Sequence, residues 1–194
     1  ALQMARGSTQ QMQSAGELGA ALMQARRLDQ AEGPLRQARE LAQGDARADQ
    51  ELALGNLANL RRDAFTANRH YHAALQLADE LSVASLKAGL NLVRSAEPDE
   101  RLAQLTALSA RIGRSPVGRT DPSLYLNLGH QAHALGPSGL ALAYSSIERA
   151  RQMTSDQPAS RLHLESLDGL AQLYEAQGRL PEALGLTRRA LDAL

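Results

Sequence analysis

The sequence predicts an all-α protein assembled from repeated antiparallel helix pairs, and three observations predict it. Ala and Leu dominate the composition and aromatic residues make up only 3%. Such a chain favours helix, with too few Val, Ile and Thr to build a sheet. Leu followed by a small residue recurs at Leu18-Gly19, Leu54-Gly55, Leu128-Gly129 and Leu170-Ala171. Downstream of the first three lies a second pattern, two Ala residues flanking a bulky one at i, i+4, i+7: Ala31, Leu35, Ala38; Ala67, Tyr71, Ala74; Ala143, Ile147, Ala150. Gly19 and Gly55 are 36 residues apart, a period that marks stacked supersecondary units.

In chain order, residues 1–13 are polar and Gln-rich and read as a linker or a frayed helix. Ser14-Ala-Gly-Glu17 fits a capping box that would start a helix, and Arg26-Arg27 falls at the following turn. In the second helix Gly33-Pro34 should introduce a slight kink, and Gly44 should end it. The second pair runs from Leu54 to Ala78, with Arg62 at the turn. In the third, Ala88-Gly89 and Leu92 suit the first helix, Asp99 is the expected N-cap, and Leu102, Leu105 and Leu108 mark the second helix. Gly113–Thr120 reads as a loop. Asp121-Pro122 is an N-cap followed by Pro at the first helical position. The fourth pair turns at Gly136-Pro-Ser-Gly139, and the fifth carries Tyr174, Gly178, Leu180, Ala183 and Ala190.

Leu-Gly in one helix followed by Ala-x3-aromatic in the next, clearest in Leu54–Ala78, resembles the tetratricopeptide repeat (TPR). The resemblance covers about residues 14–194, in repeats at about 14–44, 47–80, 83–112, 121–154 and 158–194. It implies a right-handed superhelix of about five helix pairs, an α-solenoid. The first helix of each pair would line a concave face. Helical geometry then takes the position after each Leu-Gly, with those four before and three after it, into that groove. Besides Ala20, Met23 and Val93, the candidates are Leu52, Asn56, Asn59, Leu86, Leu90, Leu126, His130, His133, Asp168, Gln172 and Glu175. The small residues at helix contacts are read as structural. The family's carboxylate clamp needs Lys, Asn and Arg at set positions. Here those positions hold Gly16, Ala20, Leu52, Asn56, Leu86 and Leu90, so only Asn56 fits.

Charge and motif content narrow the function classes. With 21 basic and 21 acidic residues, the chain lacks the basic surplus of a nucleic-acid module. It has no basic amphipathic helix for a membrane surface and no run of roughly 18–20 apolar residues to span a bilayer. The absence of Cys excludes disulfides, thiolate metal sites and cysteine nucleophiles within the chain. No phosphate-binding loop, nucleophile elbow or paired acid/base spacing is present. His130 and His133 share a helix face but have no third ligand in sequence, so no metal or other cofactor is expected.

The expected function is therefore a non-catalytic scaffold that binds a protein or peptide through the groove. Leu90-Asn-Leu-Val-Arg94 and Tyr125-Leu-Asn-Leu-Gly129 also resemble the repeats that accompany bacterial CHAT domains, which are caspase-related peptidases. That implies an alternative, the regulatory region of a larger enzyme whose Cys/His pair lies elsewhere. A peptide-sensing regulator is a third reading. Finally, Leu184, Leu191 and Leu194 form one stripe on the last helix. Its expected cover is a homodimer partner or a continuation of the chain.

Overall fold

The structure, a computed structural model, describes residues 2–193, with side chains from residue 7 onward. The described residues form ten α-helices and no strand: α1 (Leu2–Gln24), α2 (Leu28–Leu41), α3 (Gly44–Leu60), α4 (Ala64–Leu77), α5 (Val83–Val93), α6 (Pro98–Arg114), α7 (Pro122–His133), α8 (Leu140–Met153), α9 (Arg161–Ala176) and α10 (Leu180–Asp192). They fall into two compact units, Ala1–Ser95 and Ala96–Leu194.

In the first unit α1 pairs with α2 and α3 with α4, and α5 packs on α3 and α4. In the second, α6 packs on α7, α7 pairs with α8, and α9 pairs with α10. Short turns reverse the chain inside each pair. Three of these turns close in the same way: Arg27 N–H donates to Leu22 O, Asp63 N–H to Ala58 O and Arg179 N–H to Tyr174 O, each at 2.9 Å. This is the Schellman closure, which places one residue in the left-handed region. That residue is Arg26 (φ 58°), Arg62 (φ 63°) or Gly178 (φ 72°), and Gly136 (φ 67°) takes the same conformation between α7 and α8. The position that usually calls for Gly is thus filled by Arg in both pairs of the first unit.

The recurrent pattern is explained by one packing contact. A Cβ on Gly55 would lie 2.5 Å from Tyr71 Cε1, one on Gly19 2.5 Å from Leu35 Cδ2, and one on Gly129 2.4 Å from Ile147 Cγ1. In each pair the bulky residue of the second helix sits directly on the glycine of the first. The Ala residues flanking it are buried, so the two backbones can approach closely. Burying each such bulky side chain contributes about 1.5–3 kcal/mol.

Several boundary expectations are corrected. Helix α1 runs unbroken through Ser14, because a Ser-x-x-Glu string inside a polar helical stretch need not start a helix. Helix α2 ends at Leu41, with Ala42 extended as its C-cap. Gly44, at φ 53°, opens α3 rather than closing α2. Glu97, not Asp99, is the N-cap of α6, since Pro98 takes the first helical position. Gly113 and Arg114 still belong to α6, and the loop after it tightens into a short 3-10 turn at Val117–Arg119. The N-cap at Asp121, which accepts from Ser123 N–H at 3.0 Å, stands as the sequence indicates, and Asp63 caps α4 by accepting from Thr66 N–H at 3.0 Å.

Candidate functional site

The candidate groove residues divide between the two units. Asn56 and Asn59 lie on α3 in the first unit. His130 and His133 on α7, and Asp168, Gln172 and Glu175 on α9, lie in the second. Asn59, His130, Asp168, Gln172 and Glu175 are exposed, and Asn56 and His133 are half-buried. A Cβ on Gly169 would lie 3.3 Å from His130 Cε1, which places this imidazole over α9, one residue from Asp168. Gln172 Nε2 donates to Asp168 Oδ2 at 2.7 Å.

Four leucines are corrected: Leu52, Leu86, Leu90 and Leu126 are all buried. Leu52 packs with Ala67, Tyr71, Ala74 and Ala88 in the core between α3, α4 and α5, and Leu126 is equally enclosed in the second unit. On α3 and α7 the position four before the groove residue therefore turns inward. Leu86 and Leu90 are buried for a different reason, a one-residue slip in register. Leu90, not Gly89, takes the place of Gly55, and Asn91 then takes the place of Asn56. Its side chain reaches the neighbouring first helix: Asn91 Nδ2 donates to Asn56 Oδ1 at 3.1 Å across 35 residues.

That bond belongs to a small network at the junction of α3, α4 and α5. The same Asn56 oxygen also accepts from the Tyr71 hydroxyl at 3.1 Å. Burial pushes the Tyr71 phenol up to about 12, so it remains a neutral donor at physiological pH. The Asn56 oxygen is then doubly occupied, while Asn56 Nδ2 and Asn91 Oδ1 make no hydrogen bond within the described residues. Asn59, Asn68, Asn91, Arg94 and Ser95 surround a small pocket over Tyr71. Asn68 Oδ1 accepts from Ser95 Oγ at 3.2 Å. The surface thus offers one carboxamide donor and one carboxamide acceptor on adjacent first helices, with Asn59 and Arg94 beside them. With the corrected register, Lys87 and Asn91 replace Leu86 and Leu90 at the two clamp positions on α5. Gly16 and Ala20 on α1 still offer no side chain for a carboxylate clamp.

A second cluster has no counterpart in the motif spacing. Glu51 on α3 is buried, with His70 Nδ1 of α4 at 2.7 Å and Arg39 Nη1 of α2 at 3.7 Å. A carboxylate in such a place needs partners to offset its lost hydration, and here the partners tie three helices together. Nearby, a cleft of about 230 Å³ is lined by Glu32, Arg36, Arg61, Thr66, Arg69 and His70. Glu32 meets both Arg36 and Arg61 at 2.6 Å, and the hydrogen bond from Arg61 holds its carboxyl below the usual range. Among the described residues, no group of three or more His, Asp or Glu side chains is placed to hold a metal ion, and no helix is long and apolar enough to cross a membrane.

Comparison with known proteins agrees with this architecture. The crystal structure of BtubC (BKLC) from P. vanneervenii matches with a TM-score of 0.71 and 17% identity, over 97% of this chain and 89% of that one. PilF of Pseudomonas aeruginosa matches with a TM-score of 0.72 and 19% identity, over 97% and 78% of the two chains. YrrB, described as a TPR protein with an unusual peptide-binding site, matches with a TM-score of 0.56 and 18% identity, over 92% and 84%. No protein-family model matches the chain, and no curated protein matches it in sequence. The chain has the tetratricopeptide-repeat fold.

Proposed function

We propose that this chain is a non-catalytic interaction module that holds an extended peptide segment of another protein against the α3–α5 face of its first unit. The observation that carries this reading is the pairing of Asn56 with Asn91. Their mutual hydrogen bond fixes both carboxamides, leaving one N–H donor and one carbonyl acceptor facing outward. An extended peptide presents alternating C=O and N–H groups of matching polarity. Because this recognition engages the main chain, it sets no sequence requirement by itself. Asn59 and Arg94 would supply side-chain preference, with Arg94 favouring an acidic residue. The peptide-binding site attributed to YrrB supports the ligand class by analogy of fold.

The test is to pan a random-peptide display library on the intact chain, then titrate the selected peptides calorimetrically into wild type, Asn91→Ala and Asn59→Ala. Enriched peptides should lose about tenfold or more in affinity with Asn91→Ala, since removing one good hydrogen bond leaves its partner group unpaired. Selected peptides that bind both variants as tightly as wild type would place the site elsewhere.

A further inference from the structure

The edge of the first unit that carries the turns inside its helix pairs is basic. Arg61, just past the end of α3, reaches back to the start of α2. Its Nη1 donates to Glu32 Oε2 at 2.6 Å, and its Nη2 donates to Leu28 O at 3.0 Å and to Asp29 Oδ1 at 3.4 Å. This sets the α1–α2 turn, with Arg26-Arg27, beside the α3–α4 turn, with Arg61-Arg62. Residues 26–36 and 61–69 hold six arginines and three carboxylates, a net charge of +3 in a chain whose total is zero. All three carboxylates are engaged within the fold, Asp29 and Glu32 by Arg61 and Asp63 by Thr66 N–H. Arg26, Arg27, Arg62 and Arg69 are exposed, and none of the four makes a side-chain hydrogen bond or ion pair among the described residues.

Two of these arginines stand where the backbone favours Gly. Arg26 (φ 58°) and Arg62 (φ 63°) hold the left-handed position of their turns, which Gly136 and Gly178 hold in the second unit. A side chain there is strained in a way that Gly is not. Neither guanidinium makes a contact within the fold that would offset this strain, and such outliers gather at sites of function. Phe65, 80% exposed, stands beside them near the start of α4. It shares a helix face with Arg69 one turn on, and Arg69 lines the cleft between α2 and α4 with Arg36 and Arg61. No second observation of this kind attends the exposed leucines of α10, Leu184 and Leu191, and Leu194 lies outside the described residues.

We infer that this edge docks a short acidic segment of a partner protein, with carboxylates on Arg26, Arg27, Arg62 and Arg69 and an apolar side chain against Phe65. Guanidinium groups pair with carboxylates through two parallel N–H donors. Packed helices stand about 8–10 Å apart, a distance an extended segment covers in about three residues. The segment is short because the opposite end of the same helices is acidic. Residues 39–51 and 77–80 hold six carboxylates and two arginines, and that end repels a long polyanion. Asp29, fully exposed among the arginines, likewise disfavours a continuous anionic surface such as a membrane. The site lies at the helix ends and is separate from the carboxamide face of α3 and α5.

Fluorescence anisotropy on the full chain tests it, with a labelled peptide of about ten Asp and Glu residues around one central Leu, in about 50 mM salt where screening is weak. The peptide should bind saturably, and its Asn/Gln counterpart should not. Arg26→Gly/Arg62→Gly should weaken binding about tenfold or more while raising the thermal midpoint, since Gly relieves both left-handed turns. That opposite movement separates a lost contact from a damaged fold. Phe65→Ala should weaken binding only while the central Leu is present. Asn91→Ala, which disables the α3–α5 face, should leave this affinity unchanged. An acidic peptide that does not bind, or binds the double Gly variant as tightly as wild type, overturns the inference. So does equal loss with Asn91→Ala, which moves the acidic ligand to the α3–α5 face. Tighter binding of phosphatidylserine vesicles or of duplex DNA through the same arginines overturns it in favour of a membrane or a nucleic acid.

Discussion

Gly55→Ala adds one methyl group where the structure has no room for it. The new Cβ would stand 2.5 Å from Tyr71 Cε1 and 2.6 Å from Cδ1, where ordinary carbon contacts need about 3.5–4.0 Å. The ring or the helix must therefore retreat by about 1 Å. The ring cannot swing aside, because it is buried among Leu52, Ala58, Ala67, Ala74 and Ala88 and its hydroxyl is tied to Asn56. Overpacking of this kind costs about 1–3 kcal/mol. Ala is the better helix former by about 1 kcal/mol, leaving a net loss of up to about 2 kcal/mol. For a chain of this size that lowers the thermal midpoint by up to about 8 °C, read by circular dichroism, where a helix-propensity gain alone would raise it. The control is Gly185→Ala on α10, where an added Cβ meets nothing within 4 Å and only the helix-propensity gain remains. If Gly55→Ala raises the midpoint as Gly185→Ala does, the close approach of α3 and α4 is wrong.

The same reasoning reaches the turns and the buried charges. Arg62→Gly should stabilise the chain by about 0.5–1 kcal/mol, because relief of the left-handed conformation outweighs the added chain entropy. Gly178→Ala, at φ 72°, should lose about 1 kcal/mol, and urea titration reads both. Glu51→Ala should cost about 1–3 kcal/mol by leaving His70 and Arg39 without their acceptor, whereas Asn59→Ala should change stability very little. The Glu32 carboxyl has a folded pKa held below its ordinary 4.5 by Arg61. Its stabilisation is therefore present above that ordinary value and disappears as the pH falls through the lower folded pKa. Glu32→Gln should lower the neutral plateau by that contribution and leave stability below the folded pKa nearly unchanged, so the acid limb of a stability-against-pH curve flattens.

The helix pairs were legible because one contact, bulky residue on glycine, leaves a trace at three sequence positions at once. Gly19 with Leu35, Gly55 with Tyr71 and Gly129 with Ile147 could each be read from spacing alone. Helix α5 was misread by one residue because Ala88-Gly89-Leu90 offers small residues where the motif wants Gly, yet buried Leu90 occupies that place. A slip of one position rotates a helix by about 100°, enough to exchange buried Leu86 and Leu90 for Lys87 and Asn91. Leu52 and Leu126 were misplaced because a groove rule drawn from one helix ignores the pair that stacks on it. The Glu51, His70 and Arg39 cluster joins single residues from three helices and has no periodicity to betray it. Arg26 and Arg62 could be placed at turns from the sequence, but their left-handed backbone could not be read, since Arg is rarely chosen for that conformation.

The account is tested most directly by the side-chain amide resonances of Asn56, Asn59 and Asn91 in the ¹⁵N-labelled chain, followed during titration with a library-selected peptide. The Asn56 and Asn91 carboxamide signals should shift together with the Arg94 backbone amide, and saturate at the calorimetric Kd. If the peptide binds but leaves these resonances unmoved, and instead shifts the second-helix face around exposed Phe65, the proposed binding face is contradicted.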